Sequence, residues 1–183
     1  MLKEKISGLR INLERLRPNQ NMAETVFAAV DKNRKMFSLW LDWVKDTKSA
    51  KDSLHFLEAA DQDWNDQKQF VYAISFQNKF IGLISAICVA WKHKRVEIGY
   101  WLDTDYTGQG FMQEAVSLLE KELFENDFNR IVIHTDTMNL KSANIAKRLG
   151  YVHEGILRQE RYSAVHKNFR DINVFSKLRG DLK

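Results

Sequence analysis

Arg95-Val96-Glu97-Ile98-Gly99-Tyr100-Trp101-Leu102-Asp103, running on to Tyr106-Thr107-Gly108-Gln109-Gly110-Phe111-Met112, is the passage on which the fold turns. Its first half reads as a strand over Arg95 to Leu102. Its second half opens a helix predicted over about Gln109 to Glu125, with Phe111, Ala115, Leu118 and Leu119 at i, i+4, i+7 and i+8. The two glycines between them let backbone approach a ligand closely, and the helix behind them presents unpaired N–H groups at its positive dipole end. Phosphate binds such a junction, although a Gly-x-Gly taken alone is by default a plain tight turn. A dinucleotide fingerprint would need a third glycine where Gln113 stands and a parallel βαβ unit; a Walker A loop would need a Gly-Lys-Ser/Thr that is absent.

Upstream, the chain reads as a meander: Phe70 to Phe76, a turn at Gln77-Asn78-Lys79, Phe80 to Trp91, a turn at Lys92-His93-Lys94, then the strand above. Turns this short make the neighbours antiparallel. Before the meander, Leu9 to Leu16 alternates apolar Leu9, Ile11 and Leu13 with polar residues, and Pro18 ends that strand. Asn21 with Glu24, and Ser49 with Asp52, resemble helix-start boxes; Met22, Val26, Phe27 and Val30 then share one face, as do Leu54, Leu57 and Trp64. Between these helices lies Phe37-Ser38-Leu39-Trp40-Leu41-Asp42-Trp43, whose aromatic density fits either core packing or the wall of a ligand groove. Downstream come an apolar strand over Arg130 to Thr135, a short helix over Leu140 to Leu149 closed by Gly150, and two strands from Tyr151 to Leu178 joined near His166-Lys167-Asn168.

A chain of 183 residues, 44% of them hydrophobic, can bury one substantial core and is short for two, so one domain over residues 1–183 is expected. Cys88, the single cysteine, lies in an apolar run and reads as core; it permits no intramolecular disulfide and supports no cysteine metal site. The five histidines are scattered, with no i, i+4 pair and no neighbouring carboxylate cluster, so they read as surface or structural and no metal is expected. No apolar stretch approaches the roughly 18 residues that span a bilayer, and the first residues lack a signal peptide's apolar segment, so a cytoplasmic protein is expected. The net charge of +4 is concentrated at the end: between Lys147 and Lys183 nine Lys or Arg face four Asp or Glu. That surplus fits a solvated strand face or a surface attracting phosphates or an acidic substrate.

Taken together, Glu97-Ile98-Gly99-Tyr100-Trp101-Leu102-Asp103, Gly108-Gln109-Gly110-Phe111-Met112-Gln113-Glu114-Ala115 and Asn139-Leu140-Lys141-Ser142-Ala143-Asn144 resemble the motifs of the GNAT N-acetyltransferases in their RimJ/RimL form. Leu149-Gly150-Tyr151, Glu154-Gly155, the aromatic connection and the ending Arg170-Asp171 to Leu178 extend the resemblance over nearly the whole chain. The resemblance implies the GNAT acyl-CoA N-acyltransferase fold, an α+β architecture: a twisted mixed sheet of about seven strands with flanking helices, opening as a V between its fourth and fifth strands, here Arg95 to Leu102 and Arg130 to Thr135. It implies acetyl-CoA as co-substrate, the pantetheine arm pairing with free backbone of Tyr100, Trp101 and Leu102 and the pyrophosphate resting on the amides of Gly108, Gln109, Gly110, Phe111 and Met112. Asn139 and Ser142 match positions that contact the arm; a helix cap is the other reading of Asn139. Two positions depart from the wider superfamily: Asp105 stands where many members carry Arg or Gln, and Ala146 where many carry the tyrosine that protonates the leaving thiolate, which leaves Ser142 as the substitute.

For deprotonating the acceptor amine, Glu97 matches the catalytic glutamate of histone-acetylating relatives, against the reading of a solvent-facing charge. Glu160 is the second carboxylate, offset by one residue from the matching position, which Arg161 occupies; only a bulge would restore its side. Trp40, Trp43 and Arg161 are the candidate acceptor contacts. RimL resemblance implies the N-terminal α-amine of a ribosomal protein as acceptor, with a small amine, amino acid, polyamine or antibiotic as the alternative, and a homodimer. Arg158, Arg161, Lys167 and Arg170 then suggest a cationic rim that favours an acidic peptide. From another class, a non-catalytic acyl-CoA- or RNA-binding module fits the basic surplus, but neither a recognition helix nor an aromatic platform supports it.

Overall fold

Eight strands form one sheet in the order β1-β2-β3-β4-β5-β6-β8-β7 in the computed structural model, which describes residues 1–182. They are β1 (Lys5–Ser7), β2 (Ile11–Arg15), β3 (Phe70–Phe76), β4 (Lys79–Ala90), β5 (Arg95–Leu102), β6 (Arg130–Asp136), β7 (Val152–Ser163) and β8 (Asn168–Leu178). The helices are α1 (Gln20–Lys32), the single-turn α2 (Arg34–Phe37), α3 (Ala50–Asn65), α4 (Phe111–Glu125) and α5 (Leu140–Arg148).

The meander folds as its turns require: β3, β4 and β5 are antiparallel neighbours, and Gln77 and Asn78 at the first turn both take positive φ. β3 is buried on both faces, and its alternation sorts the two cores. Phe70, Tyr72 and Ile74 face the core that α4 and α5 cover; Val71 and Ala73 face the core under α1 and α3. On α4, Phe111, Ala115 and Leu119 pack against the sheet, and on α3 Leu57 and Trp64 are buried. Each large apolar side chain so buried contributes roughly 1.5–3 kcal/mol.

The sheet's one parallel pairing positions the site. β5 and β6 are joined at Arg95↔Arg130, Val96↔Ile131 and Glu97↔Val132. Beyond Glu97, β5 stays with β4 while β6 follows β8 through Asp136↔Ile172, so the two strands part into a wedge. This is the opening expected between the fourth and fifth strands, renumbered because the sheet has eight.

The extra strand is β1, three residues too short for a periodicity to register. Leu9, read as part of the first strand, sits in the turn between β1 and β2 at 94% exposure. The cap of α1 is Asn19 rather than Asn21: its side chain accepts the Met22 N–H at 2.8 Å, while Glu24 takes a hydrogen bond from Gln20. Ser49 caps α3 as expected. α5 ends on a left-handed Gly150, with the Tyr151 N–H donating to the Ala146 carbonyl and the Gly150 N–H to Lys147. Cys88 is exposed rather than core, because the register of β4 on β5 slips between Ile87 and Ala90 and Cys88 takes a φ of 50° in that bulge. No helix among the described residues is long and apolar enough to cross a membrane.

Candidate active site

At the wedge, β5 is hydrogen-bonded on one side only: Tyr100, Trp101 and Leu102 register with Ile84, Leu83 and Gly82 of β4, and their other edge faces the opening. A free strand edge can pair with an extended amide-bearing chain. Gly82 keeps β4 close here, since a Cβ on it would fall 2.4 Å from the Trp101 carbonyl oxygen.

Where β5 ends, Gly108 and Gly110 take φ of 79° and 81°, and no atom lies within 4 Å of where a Cβ on Gly108 would stand. A left-handed Gly110 cannot be a helical turn's first residue, so α4 starts at Phe111, two residues later than expected. The first intrahelical bond runs from the Glu114 N–H to the Gly110 carbonyl at 3.0 Å, leaving the amides of Phe111, Met112 and Gln113 without an acceptor inside the helix. Arg10 supplies a cation beside them. Its guanidinium donates to Glu114 at 2.8 Å and to the Gln109 carbonyl at 2.9 Å, and lies 4.7 Å from the Phe111 ring centre. Asp105, at the family's Arg/Gln position, is itself held by Lys32 at 2.5 Å. Arg10 escaped the sequence reading because nothing in one sequence ties a turn to a loop 99 residues further on.

On the far side of the wedge, Asn139 caps α5: its side-chain oxygen accepts the Ser142 N–H at 3.2 Å. The Ser142 hydroxyl in turn lies 2.9 Å from the Tyr100 hydroxyl. Burial pushes the Tyr100 phenol up to about 12, with the Ser142 hydrogen bond acting the other way. β5 thus brings a tyrosine hydroxyl to the start of α5, the helix on which Ala146 stands.

At the fork, Glu97 Oε2 is 2.9 Å from His134 Nδ1, the two side chains being 15% and 25% exposed. Both line a cavity of about 640 Å³ that also reaches Tyr100, Asn139 and Ser142. His134 leaves no local mark in the sequence, because its carboxylate partner lies 37 residues away on another strand.

The other end of the cavity is walled by the aromatic connection and the β7–β8 hairpin. Both readings of the connection hold: Phe37 and Val44 are buried, Phe37 packing on Trp101 with ring centres 5.2 Å apart, while Trp40 and Trp43 line the cavity. Arg161 lines it too; Glu160 is exposed and does not. A bulge does interrupt β7, since Leu157 pairs with Ile172 and Arg161 with Arg170, and Gln159 takes a φ of 54°, yet it leaves Glu160 outside the cavity.

The cationic rim expected from the sequence lines the cavity only in part. Of its four members only Arg161 and Arg170 reach the cavity, and Arg170 is held by Asp136 at 2.8 Å. Asp42, Asp46, Asp52 and Glu97 line the same cavity, so carboxylates outnumber free guanidinium groups there. Among the described residues no group of three or more His, Cys, Asp or Glu is placed to hold a metal.

A forked mixed sheet whose open strand edge leads into a glycine-rich helix start defines an acyl-CoA-dependent transferase. The chain belongs to the Acetyltransferase (GNAT) domain family, whose model matches residues 10–152. Among its relatives, the ribosomal-protein-serine acetyltransferase of Escherichia coli (strain K12) is 24% identical over 160 residues, 87% of this chain and 88% of that protein. In fold it superposes on RimL, the ribosomal L7/L12 α-N-protein acetyltransferase in complex with coenzyme A, with a TM-score of 0.89 at 24% identity, over 96% of this chain and 98% of that one. It also superposes on the microcin C7 self-immunity acetyltransferase MccE in complex with acetyl-CoA and AMP, with a TM-score of 0.87 at 26% identity and 93% of each chain covered. The protein is an N-acetyltransferase that uses acetyl-CoA. The residues present fit that co-substrate: a free strand edge, unclaimed helix-start amides and a guanidinium beside them.

Proposed function

We propose that the protein acetylates the N-terminal α-amine of a ribosomal protein. The observation that carries this reading is that one cavity of about 640 Å³ is lined both by Glu97 and His134 at the fork of β5 and β6 and by Trp40, Trp43 and Arg161, which leaves room beside the fork for residues that follow a reactive amine. The likeness to a ribosomal-protein-serine acetyltransferase over most of both chains supports the same acceptor.

Acetyl-CoA supplies the acetyl thioester. Tyr100, Trp101 and Leu102 pair with the pantetheine arm through their free backbone edge, Asn139 and Ser142 flank it, and Gly108, Gln109, Gly110, Phe111 and Met112 hold the pyrophosphate, with Arg10 as the nearby cation. Glu97 is the carboxylate that serves amine deprotonation. Glu160, outside the cavity, takes no part. An α-amine ionises near 8 and a lysine side chain near 10.4, so the modest base available here suits an α-amine better. The cavity's excess of carboxylates favours a second reading, a small cationic amine.

The test is release of free thiol from acetyl-CoA with Ser- and Ala-started peptides, the same peptides blocked at the N-terminus but carrying lysine, and spermidine. Transfer to the free N-terminus alone supports the proposal; efficient turnover of spermidine with none on peptide would replace it.

A further inference from the structure

The cavity contains one titratable pair at its fork. Glu97 is the last residue of β5 paired with β6, and His134 lies two residues beyond its partner Val132, so the two side chains meet where the strands begin to part. We infer that His134 accepts the acceptor amine's proton and that Glu97 is its positioning residue rather than the base. This deepens the proposed N-acetyl transfer and rests on it.

The geometry selects the nitrogen. An ionised carboxylate only accepts hydrogen bonds, so the 2.9 Å contact requires the proton on His134 Nδ1. The Nε2 lone pair is then the basic site, and Nε2 has no hydrogen-bond partner among the described residues. A carboxylate holding the far nitrogen fixes both ring orientation and tautomer, and it compensates the charge that appears when the ring is protonated. Imidazole, ordinarily near 6.5, is also a stronger base than a carboxylate near 4.3 for a nitrogen that loses its proton as it bonds.

The step balances without another reagent. The amine nitrogen bonds to the acetyl carbonyl carbon and the carbon–sulfur bond breaks with its electrons going to sulfur. The proton from nitrogen passes to Nε2, and the imidazolium later returns it to water. Sulfur departs beside the Tyr100 and Ser142 hydroxyls, which line the same cavity. The charged groups sharing the cavity do not undo this: Arg170 is held by Asp136, Arg161 opposes the imidazolium, and Asp42, Asp46 and Asp52 favour it. Cys88, whose thiol burial and the Glu97 charge push up, adds no charge near pH 7.

The experiment compares kcat/KM against pH for the parent, His134→Ala and Glu97→Gln on a Ser-started peptide, with acetyl-CoA affinity by calorimetry and the His134 tautomer by ¹⁵N NMR. His134→Ala is expected to lose on the order of 100-fold in kcat, to bind acetyl-CoA as the parent does, and to recover part of the rate with added imidazole. Glu97→Gln is expected to lose on the order of tenfold in kcat, because the ring loses the carboxylate that fixes its orientation and tautomer. Parent-like rate and acid limb in His134→Ala, or a parent ring protonated on Nε2 instead of Nδ1, would overturn the assignment while leaving the acetyltransferase reading standing. A parent that transfers acetyl to no amine would remove that reading, and this assignment with it.

Discussion

The two ends of the groove are made of different material. The end proposed for the cofactor is backbone: a free strand edge, two left-handed glycines and the unclaimed amides of α4. The end proposed for the acceptor is side chain: Trp40 and Trp43 from the connection between α1 and α3, Arg161 from β7, and the ion-paired Asp136 and Arg170. Backbone recognition depends on conformation, which a few glycines and caps enforce, so it tolerates the low identity this chain shares with its relatives. Side-chain recognition can be rewritten residue by residue without disturbing the sheet. The contrast teaches that this chain's donor follows from its fold while its acceptor has to be argued from its own surface chemistry.

The sharpest way to break that contrast is Gly110→Val. A β-branched residue at φ 81° costs on the order of 1–3 kcal/mol of strain, and its side chain would point at Arg10, whose Nη2 lies 3.4 Å from the new Cβ. Both effects deform the amide cradle without touching the buried face of α4. Losing one or two charge-assisted hydrogen bonds, at about 1.5–3 kcal/mol each, weakens acetyl-CoA binding on the order of 100-fold. Calorimetry on a variant that still melts cooperatively checks it; parent-like affinity there would take the pyrophosphate away from this loop.

Next in size are the hydroxyls that stand between the two ends. Tyr100→Phe and Ser142→Ala each remove one partner of the 2.9 Å contact and are expected to lower kcat on the order of tenfold. The pH dependence says how they act. Burial raises the Tyr100 phenol to about 12, well above a thiol near 8.5, so the phenol is expected to keep its proton and to act on the departing sulfur by hydrogen bonding alone. The Tyr100→Phe profile should therefore run parallel to the parent's up to about pH 11. Loss of an alkaline limb in that variant would mean that Tyr100 surrenders its proton outright.

The same division governs what could be read from the sequence. The meander, the order of elements apart from β1 and the single-turn α2, the Ser49 cap, the Gly150 stop and the Gly108–Gly110 junction each leave a local mark, a period or a residue type that the backbone demands, and all were legible. Illegible features depended on partners distant in the chain. Arg10 meets Gln109 and Glu114, and Glu97 meets His134, only because the sheet brings them together. Bulges hid the rest: one turned Cys88 out to solvent, and another, around Gln159, decided that Arg161 rather than Glu160 faces the groove. Charge counting failed for a related reason, since a basic C-terminal segment says nothing of Asp136 neutralising Arg170 or of carboxylates arriving from α3 and the connection before it.

That failure yields the smallest and most discriminating expectation, which concerns the acceptor's charge. With Asp42, Asp46, Asp52 and Glu97 lining the cavity and Arg161 the one lining guanidinium without an ion pair among the described residues, the field at the acceptor end favours cationic residues behind the reactive amine. Exposed charges of this kind are worth only a few tenths to about 1 kcal/mol, so a Ser-started peptide with lysine at its next positions should exceed its glutamate counterpart by about two- to fivefold in kcat/KM at low salt. The ratio should fall toward one near 0.5 M salt, where the screening length shrinks to a few ångströms. Arg161→Ala removes the opposing cation and should widen the low-salt ratio while leaving the acetyl-CoA KM unchanged, which separates an acceptor contact from one that grips coenzyme phosphates. A preference for the acidic peptide that vanishes in Arg161→Ala would instead make that single arginine, rather than the carboxylates around it, the residue that sets acceptor choice.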